Sequence, residues 1–186
     1  LKTHCAIQFP IVIFHRLDFS SDKLYICREK QRLFMKKNPS YTELLYLYEQ
    51  KRKALLATFS DLKDPQKIYE RLIEMGRNLP SPISGLQIEK NLVEGCQSQV
   101  FLLAEETPEE TICYHIASDA LISSGLAALL LAIYNQEPPE LTLLCPPLFV
   151  AEMGLTKALS PSRSNGLASI YSRMKQEALK LLSNKK

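Results

Sequence analysis

Apolar positions along the chain fall into a helix, strand, helix order. From residue 41, Leu44, Leu45, Tyr48, Leu55 and Leu56 recur at helical spacing. Ser40 and Glu43 supply a capping box, and together these features predict a helix to about residue 59. A second helix is punctuated at both ends. Asp64 caps it, Pro65 takes the first turn, Gly76 is a natural stop, and Ile68, Tyr69, Leu72 and Ile73 form the inward stripe. Leu79-Pro80-Ser81-Pro82 then reads as an extended connection. Three β-favouring runs follow at 91–95, 99–104 and 111–117, with short connections that imply an antiparallel meander. Ser118-Asp119 opens a helix over about 120–135. Leu121, Ile122, Leu126, Leu129, Leu130, Leu131 and Ile133 make it apolar on nearly every side, so it should be the most buried element. Pro138-Pro139 ends it, and a short helical piece after Pro146-Pro147 stops near Gly154. Ser160-Pro161-Ser162-Arg163 starts the last helix, to about residue 183, with Leu167, Ile170, Met174 and Leu181 facing in. The order predicts an α+β fold: a three-stranded antiparallel meander packed against helices, one domain over 41–186.

Charge changes the picture at one end. The 186 residues carry 23 Lys/Arg and 20 Asp/Glu. Residues 1–40 hold eight of the basic and three of the acidic groups, so the excess belongs to a basic N-terminal arm of unknown role. The remainder, with 15 basic and 17 acidic residues, has no basic stripe, which argues against nucleic acid as a partner. The apolar run at 5–14 contains Gln8 and Pro10 and falls short of the roughly 20 residues a membrane span needs. No secretory signal is expected, nor a membrane partner. The five cysteines, Cys5, Cys27, Cys96, Cys113 and Cys145, form no C-x-x-C pair, which reads as reduced thiols in a cytoplasmic location.

Candidate chemistry centres on Cys96. It lies in Glu94-Gly95-Cys96-Gln97-Ser98-Gln99 between two expected strands, where the preceding glycine permits a sharp turn and polar neighbours fit a loop tip. A small buried core residue is the competing reading, and it suits Cys113, among Ile112, Tyr114 and Ile116, better. A Cys–His hydrolase would need a base, and His115 in a strand is the one histidine outside the arm. Glycine-rich phosphate loops, G-x-S-x-G elbows and H-E-x-x-H motifs are absent from the sequence. No Lys, Arg or His lies within five residues of Cys96, and Glu94 would raise its pKa.

These residues have a family likeness. Gly95-Cys96-Gln97-Ser98-Gln99-Val100 resembles the G-C-Q-S-Q-V segment of the SufE family. Ser118-Asp119-Ala120 with Gly125-Leu126 is similar to that family's S-D-A…G-L helix start. Leu155-Thr156, then Leu159-Ser160-Pro161-Ser162-Arg163-Ser164 with Gly166-Leu167, is similar to its L-T…L-x-P-S-R-S-x-G-L block. With the Tyr69-Glu70-Arg71 helix the likeness covers roughly residues 50–182, in the family's order and spacing. It implies a SufE/NifU-like fold and a sulfur acceptor and activator of a SufS-like, pyridoxal-phosphate cysteine desulfurase. Cys96 would carry sulfur as a persulfide to a downstream iron–sulfur scaffold. The protein would be a transfer partner rather than an enzyme, with no cofactor or metal of its own, acting as a monomer or weak homodimer. Gly95, Gln97, Ser98, Asp119 and Arg163 would support the loop or meet the partner.

Asp119 in a first helical turn suits the helix dipole, whereas Arg163 in a first turn opposes it. Arg163 should therefore gain something elsewhere, with Asp119 the obvious intramolecular partner and the desulfurase surface the alternative. The rival function is a U-type metal or cluster scaffold, which requires Cys96, Cys113 and Cys145 to converge.

Overall fold

Ser40 and Glu43 form the expected reciprocal cap. Ser40 Oγ accepts from the Glu43 N–H at 3.3 Å, and the Glu43 carboxylate accepts from the Ser40 N–H at 2.7 Å. This opens α1, Tyr41–Ala57, in a computed structural model that describes residues 39–62 and 64–184. The arm predicted at 1–40 thus lies outside the described residues, apart from Pro39 and Ser40. Leu44, Tyr48 and Leu55 point inward as expected, while Leu45 is exposed. Asp64 caps α2, Pro65–Arg77, by accepting from the Gln66 N–H at 2.9 Å.

The helix α2 ends at Arg77, one residue past the expected stop at Gly76, yet Gly76 takes no positive φ and has a second role. It sits inside α2, facing Gly125 of α3, Leu121–Tyr134. A Cβ at Gly76 would lie 2.6 Å from the Gly125 nitrogen, and one at Gly125 would lie 2.2 Å from the Leu72 carbonyl oxygen. The two glycines bring the helix backbones into direct contact, so Leu72 and Leu126 are both almost fully buried. The helix α3 is the buried centre of the domain, although its first residue, Leu121, is exposed.

The sheet is smaller than expected. Among the described residues it has two antiparallel strands, β1 (Val100–Glu106) and β2 (Ile112–Ser118), with Val100 opposite Ser118 and Glu106 opposite Ile112. The third strand predicted at 91–95 is instead a 3₁₀ turn, Glu89–Asn91, followed by a single bridge from Leu92 to Phe101. Side chains satisfy backbone carbonyls in and just before this segment. Asn91 Nδ2 donates to the carbonyls of Gly85 and Leu86, and Arg173 donates to those of Lys90 and Leu92.

Beyond α3 the chain forms three short helices: α4 (Pro139–Leu144), α5 (Phe149–Glu152) and α6 (Leu155–Ala158). The sequence pattern showed one of these. The last helix, α7, Pro161–Asn184, starts at the predicted proline and buries Leu167, Ile170 and Met174. Four tyrosine hydroxyls satisfy carbonyls around α4 and α7. Tyr48 donates to Pro146, Tyr134 to Cys145 and Tyr171 to Thr142, each at 2.7 Å, while Tyr114 donates to Met174 at 3.2 Å. A six-residue helix leaves most of its carbonyls without intrahelical partners, and two of the tyrosines take up acceptors at its end.

Glu137 follows α3 and is buried, ion-paired through Oε1 to Lys51 of α1, while its Oε2 has no hydrogen-bond partner. Burial outweighs the Lys51 charge and pushes its carboxyl pKa up. The folded state therefore binds more protons than the unfolded chain between the two pKa values, and stability falls as pH rises through that window. The contribution is complete below the unfolded value of about 4.3 and is lost above the folded one. Urea unfolding at about pH 5 and about pH 7.5 should show the stability difference between wild type and Glu137→Gln moving in favour of the variant at the higher pH. A difference that does not move with pH would contradict this assignment.

Candidate functional site

The Cys96 loop is a narrow excursion between the 3₁₀ turn and β1. Its two ends are tied by the Leu92–Phe101 bridge and by the Val93 N–H donating to the Val100 carbonyl at 2.7 Å. Gly95 takes φ +84°, a backbone conformation that disfavours any side chain, and a Cβ there would fall 2.7 Å from Ser169 Oγ, which would have to turn away. The turn aims Cys96 at α7, where its thiol donates to the Gly166 carbonyl at 3.6 Å. Gln97 Oε1 accepts from Ser162 Oγ at 2.6 Å, and Ser98 Oγ bonds Ser123 Oγ of α3 at 2.6 Å. Gly95, Cys96, Gln97 and Ser98 are thus held between α7 and the start of α3.

Cys96 is half-buried, and burial pushes its thiol pKa up. Burial is the cause, not the Glu94 charge that the sequence suggested. The bond to the Gly166 carbonyl acts in the same direction, because it is made by the protonated form. Alkylation of Cys96 at neutral pH should therefore be slow, with a midpoint in its pH–rate profile above the value of about 8.5 for free cysteine. A midpoint below that value would refute a shielded thiol.

Asp119 and Arg163 are both exposed but do not pair with each other among the described residues. Asp119 precedes α3 by two residues, and its backbone N–H donates to the Gln99 carbonyl at 3.3 Å, closing the loop on β1. The helix begins without a side-chain cap bond, so Asp119 is not its cap. Arg163 places its guanidinium carbon 4.9 Å from the centre of the Tyr69 ring. Tyr69 in turn donates to the Ala158 carbonyl at 2.6 Å. The compensation for an unfavourable first-turn cation is thus an aromatic face rather than a carboxylate.

The three cysteines required of a metal scaffold do not converge. Among the described residues the one group with metal-ligating atoms in mutual reach is Glu105, Cys113 and His115, which includes neither Cys96 nor Cys145. Cys113 is not a free thiol, a departure from the expected set of reduced cysteines, and His115 Nε2 lies 2.9 Å from Glu105 Oε1. Cys145 is free but buried beside Tyr134. Sequence reasoning missed Ser162, Gly166 and Ser169 as the surface that receives the loop. Their spacing of four and three places them on one face of a helix, a signal visible in the sequence but without meaning until the loop is seen against it.

The fold, with a loop thiol on its last helix, matches a known class. The family model for SufE, the Fe-S metabolism associated domain, matches residues 53–178. A SufE-like protein 1 of Arabidopsis thaliana, named chloroplastic/mitochondrial, is 36% identical over 131 residues, covering 70% of this chain and 35% of that protein. The chain thus spans about a third of that relative's length. Uncharacterized SufE-like proteins of Synechocystis and Rhizobium meliloti are each 34% identical over 67% of this chain, covering 78% and 91% of those proteins. The solution structure of a hypothetical protein from Thermus thermophilus superposes with a TM-score of 0.61 at 27% identity, over 72% of this chain and 96% of that one. The chain belongs to the SufE family.

Proposed function

We propose that this protein accepts sulfur from a cysteine desulfurase on Cys96 and passes it to the iron–sulfur cluster assembly machinery. One observation carries the assignment of the residue: of the free thiols among the described residues, Cys145 is buried in the core and Cys96 reaches the surface. In the proposed step the Cys96 thiolate attacks the outer sulfur of a persulfide on the desulfurase. A new S–S bond forms at Cys96, the S–S bond of the donor breaks, and the desulfurase cysteine leaves as a thiolate. The sulfane sulfur changes carrier with no net oxidation. Pyridoxal phosphate belongs to the partner, which makes the sulfur available. This chain's own contribution is a thiol withdrawn by burial until the partner engages the loop. Withdrawal also slows oxidation to sulfenic and sulfinic acids.

The exposed groups around the loop, Gln97, Asp119 and Arg163, form the surface offered to the desulfurase in this reading. Among the described residues no helix is long and apolar enough to cross a membrane. Such a carrier works in a reducing compartment, here assigned as cytoplasmic, while the Arabidopsis relative's name places that protein in plastids and mitochondria. The domain responsible is the one over 41–186. Intact-mass measurement after incubation with a desulfurase and cysteine tests the proposal: a gain of about 32 Da, one sulfur atom, located on Cys96 is expected. An unchanged mass with an active desulfurase would overturn it.

A further inference from the structure

Ser162, Gly166, Ser169, Arg173 and Glu177 follow one another along α7 at intervals of four, three, four and four, a single stripe of the helix. The chain over 90–97 runs antiparallel along it. Gln97 meets Ser162, Cys96 meets Gly166, Gly95 meets Ser169, and the carbonyls of Leu92 and Lys90 meet Arg173. The contacts differ in kind. At the Cys96 end they are single bonds between neutral groups, and the thiol bond, at 3.6 Å, is a weak one. At the other end the Arg173 guanidinium spans two carbonyls, at 3.3 Å and 2.9 Å, while its Nε is held by Glu177 Oε1 at 2.8 Å. Both side chains of this ion pair are largely shielded, with 19% and 12% exposed. Charge-assisted bonds from a planar fork are stronger and more directional than the neutral bonds that hold the tip.

We propose that Arg173, oriented by Glu177, is a positioning residue for Cys96. It pins the near end of the loop to α7 and so sets how far the thiol is withdrawn against Gly166. The tip, at 95–97, is the part that lifts, and the segment at 90–92 is the fixed mount about which it does so. The proposal rests on the sulfur-acceptor reading only in treating Cys96 as the reacting group; the geometry of the mount stands apart from it.

Iodoacetamide labelling of the full chain near neutral pH, followed cysteine by cysteine through peptide masses, tests the mount. Arg173→Ala should raise the Cys96 rate by about threefold to tenfold, since two charge-assisted bonds are lost. Cys145, buried in the core, should stay unlabelled over the same period and reports any global loosening. Arg173→Lys keeps the charge without the fork and should give an intermediate rate. Glu177→Gln keeps the guanidinium but removes its orienting carboxylate, and it should produce a smaller rise in the same direction even if Arg173→Ala fails to fold. Cys96 rates equal to wild type in the folded variants, or Cys96 and Cys145 rising together, would overturn the proposal. No desulfurase is needed, so the two readings fail separately. Labelling that follows Arg173 on a Cys96 that takes no sulfur keeps the mount and removes the acceptor. Sulfur on a Cys96 whose labelling ignores Arg173 does the reverse.

Discussion

Gly125→Ala is expected to be the most damaging single-methyl change in the domain. The added Cβ would stand 2.2 Å from the Leu72 carbonyl oxygen and 2.6 Å from its carbonyl carbon, both backbone atoms of α2. A flexible side chain could turn away, but a helix backbone yields only by moving the whole helix. Separating α2 from α3 would open the contact that buries Leu72 and Leu126. Overpacking in a well-filled core costs about 1–3 kcal/mol and sometimes more, and a clash with main-chain atoms belongs at the top of that range. Alanine's better intrinsic helix propensity, about 1 kcal/mol over glycine, offsets only part of it. Thermal or urea unfolding should show a loss of at least about 2 kcal/mol. A variant as stable as the wild type would mean that the helices can separate freely. Gly76→Ala, whose Cβ would meet Gly125 N at 2.6 Å, should behave alike, and the two losses should not add because they open the same interface.

Cys96→Ser is expected to abolish sulfur loading entirely while leaving the fold intact. A hydroxyl cannot form the persulfide, so the gain of about 32 Da should vanish rather than diminish. Stability should stay within about 1 kcal/mol of wild type, because the side chain is half-buried and serine can still donate to the Gly166 carbonyl. Binding to a desulfurase should persist, since Gln97, Asp119 and Arg163 are untouched. Intact mass and a pull-down with the desulfurase measure the two effects together. Sulfur retained by Cys96→Ser would move the acceptor role to another cysteine.

Helix boundaries and candidate chemistry were legible where local rules govern. The Ser40–Glu43 box, the Asp64-Pro65 start and the Ser160-Pro161 start all mark real helices, because a cap is decided within four residues of chain. The one element that is apolar on nearly every side became the buried centre. Cys96 was singled out by its glycine and polar neighbours, and its loop exists.

Elsewhere the sequence signal was ambiguous and distant residues chose between alternatives. The run at 91–95 has strand-like composition, yet Arg173 takes the Leu92 carbonyl and Asn91 turns its side chain back to the carbonyls of Gly85 and Leu86, so one bridge survives where a strand was expected. Gly76 satisfies the rule for a helix stop and the helix ends one residue beyond it, but what the sequence does not show is that Gly125, some fifty positions away, needs the space a side chain at Gly76 would fill. Arg163 carries a charge that invites a carboxylate, and the fold offers it the face of Tyr69.

By itself, then, the sequence determined where the four long helices lie, which of them is buried and which cysteine sits on a loop, because each depends on neighbours along the chain. The tertiary structure alone decided that Cys96 is a shielded thiol laid along one stripe of α7. The Gly166 carbonyl lies 70 positions from Cys96, and Arg173 lies 81 and 83 positions from the carbonyls it holds, so no local pattern encodes their approach.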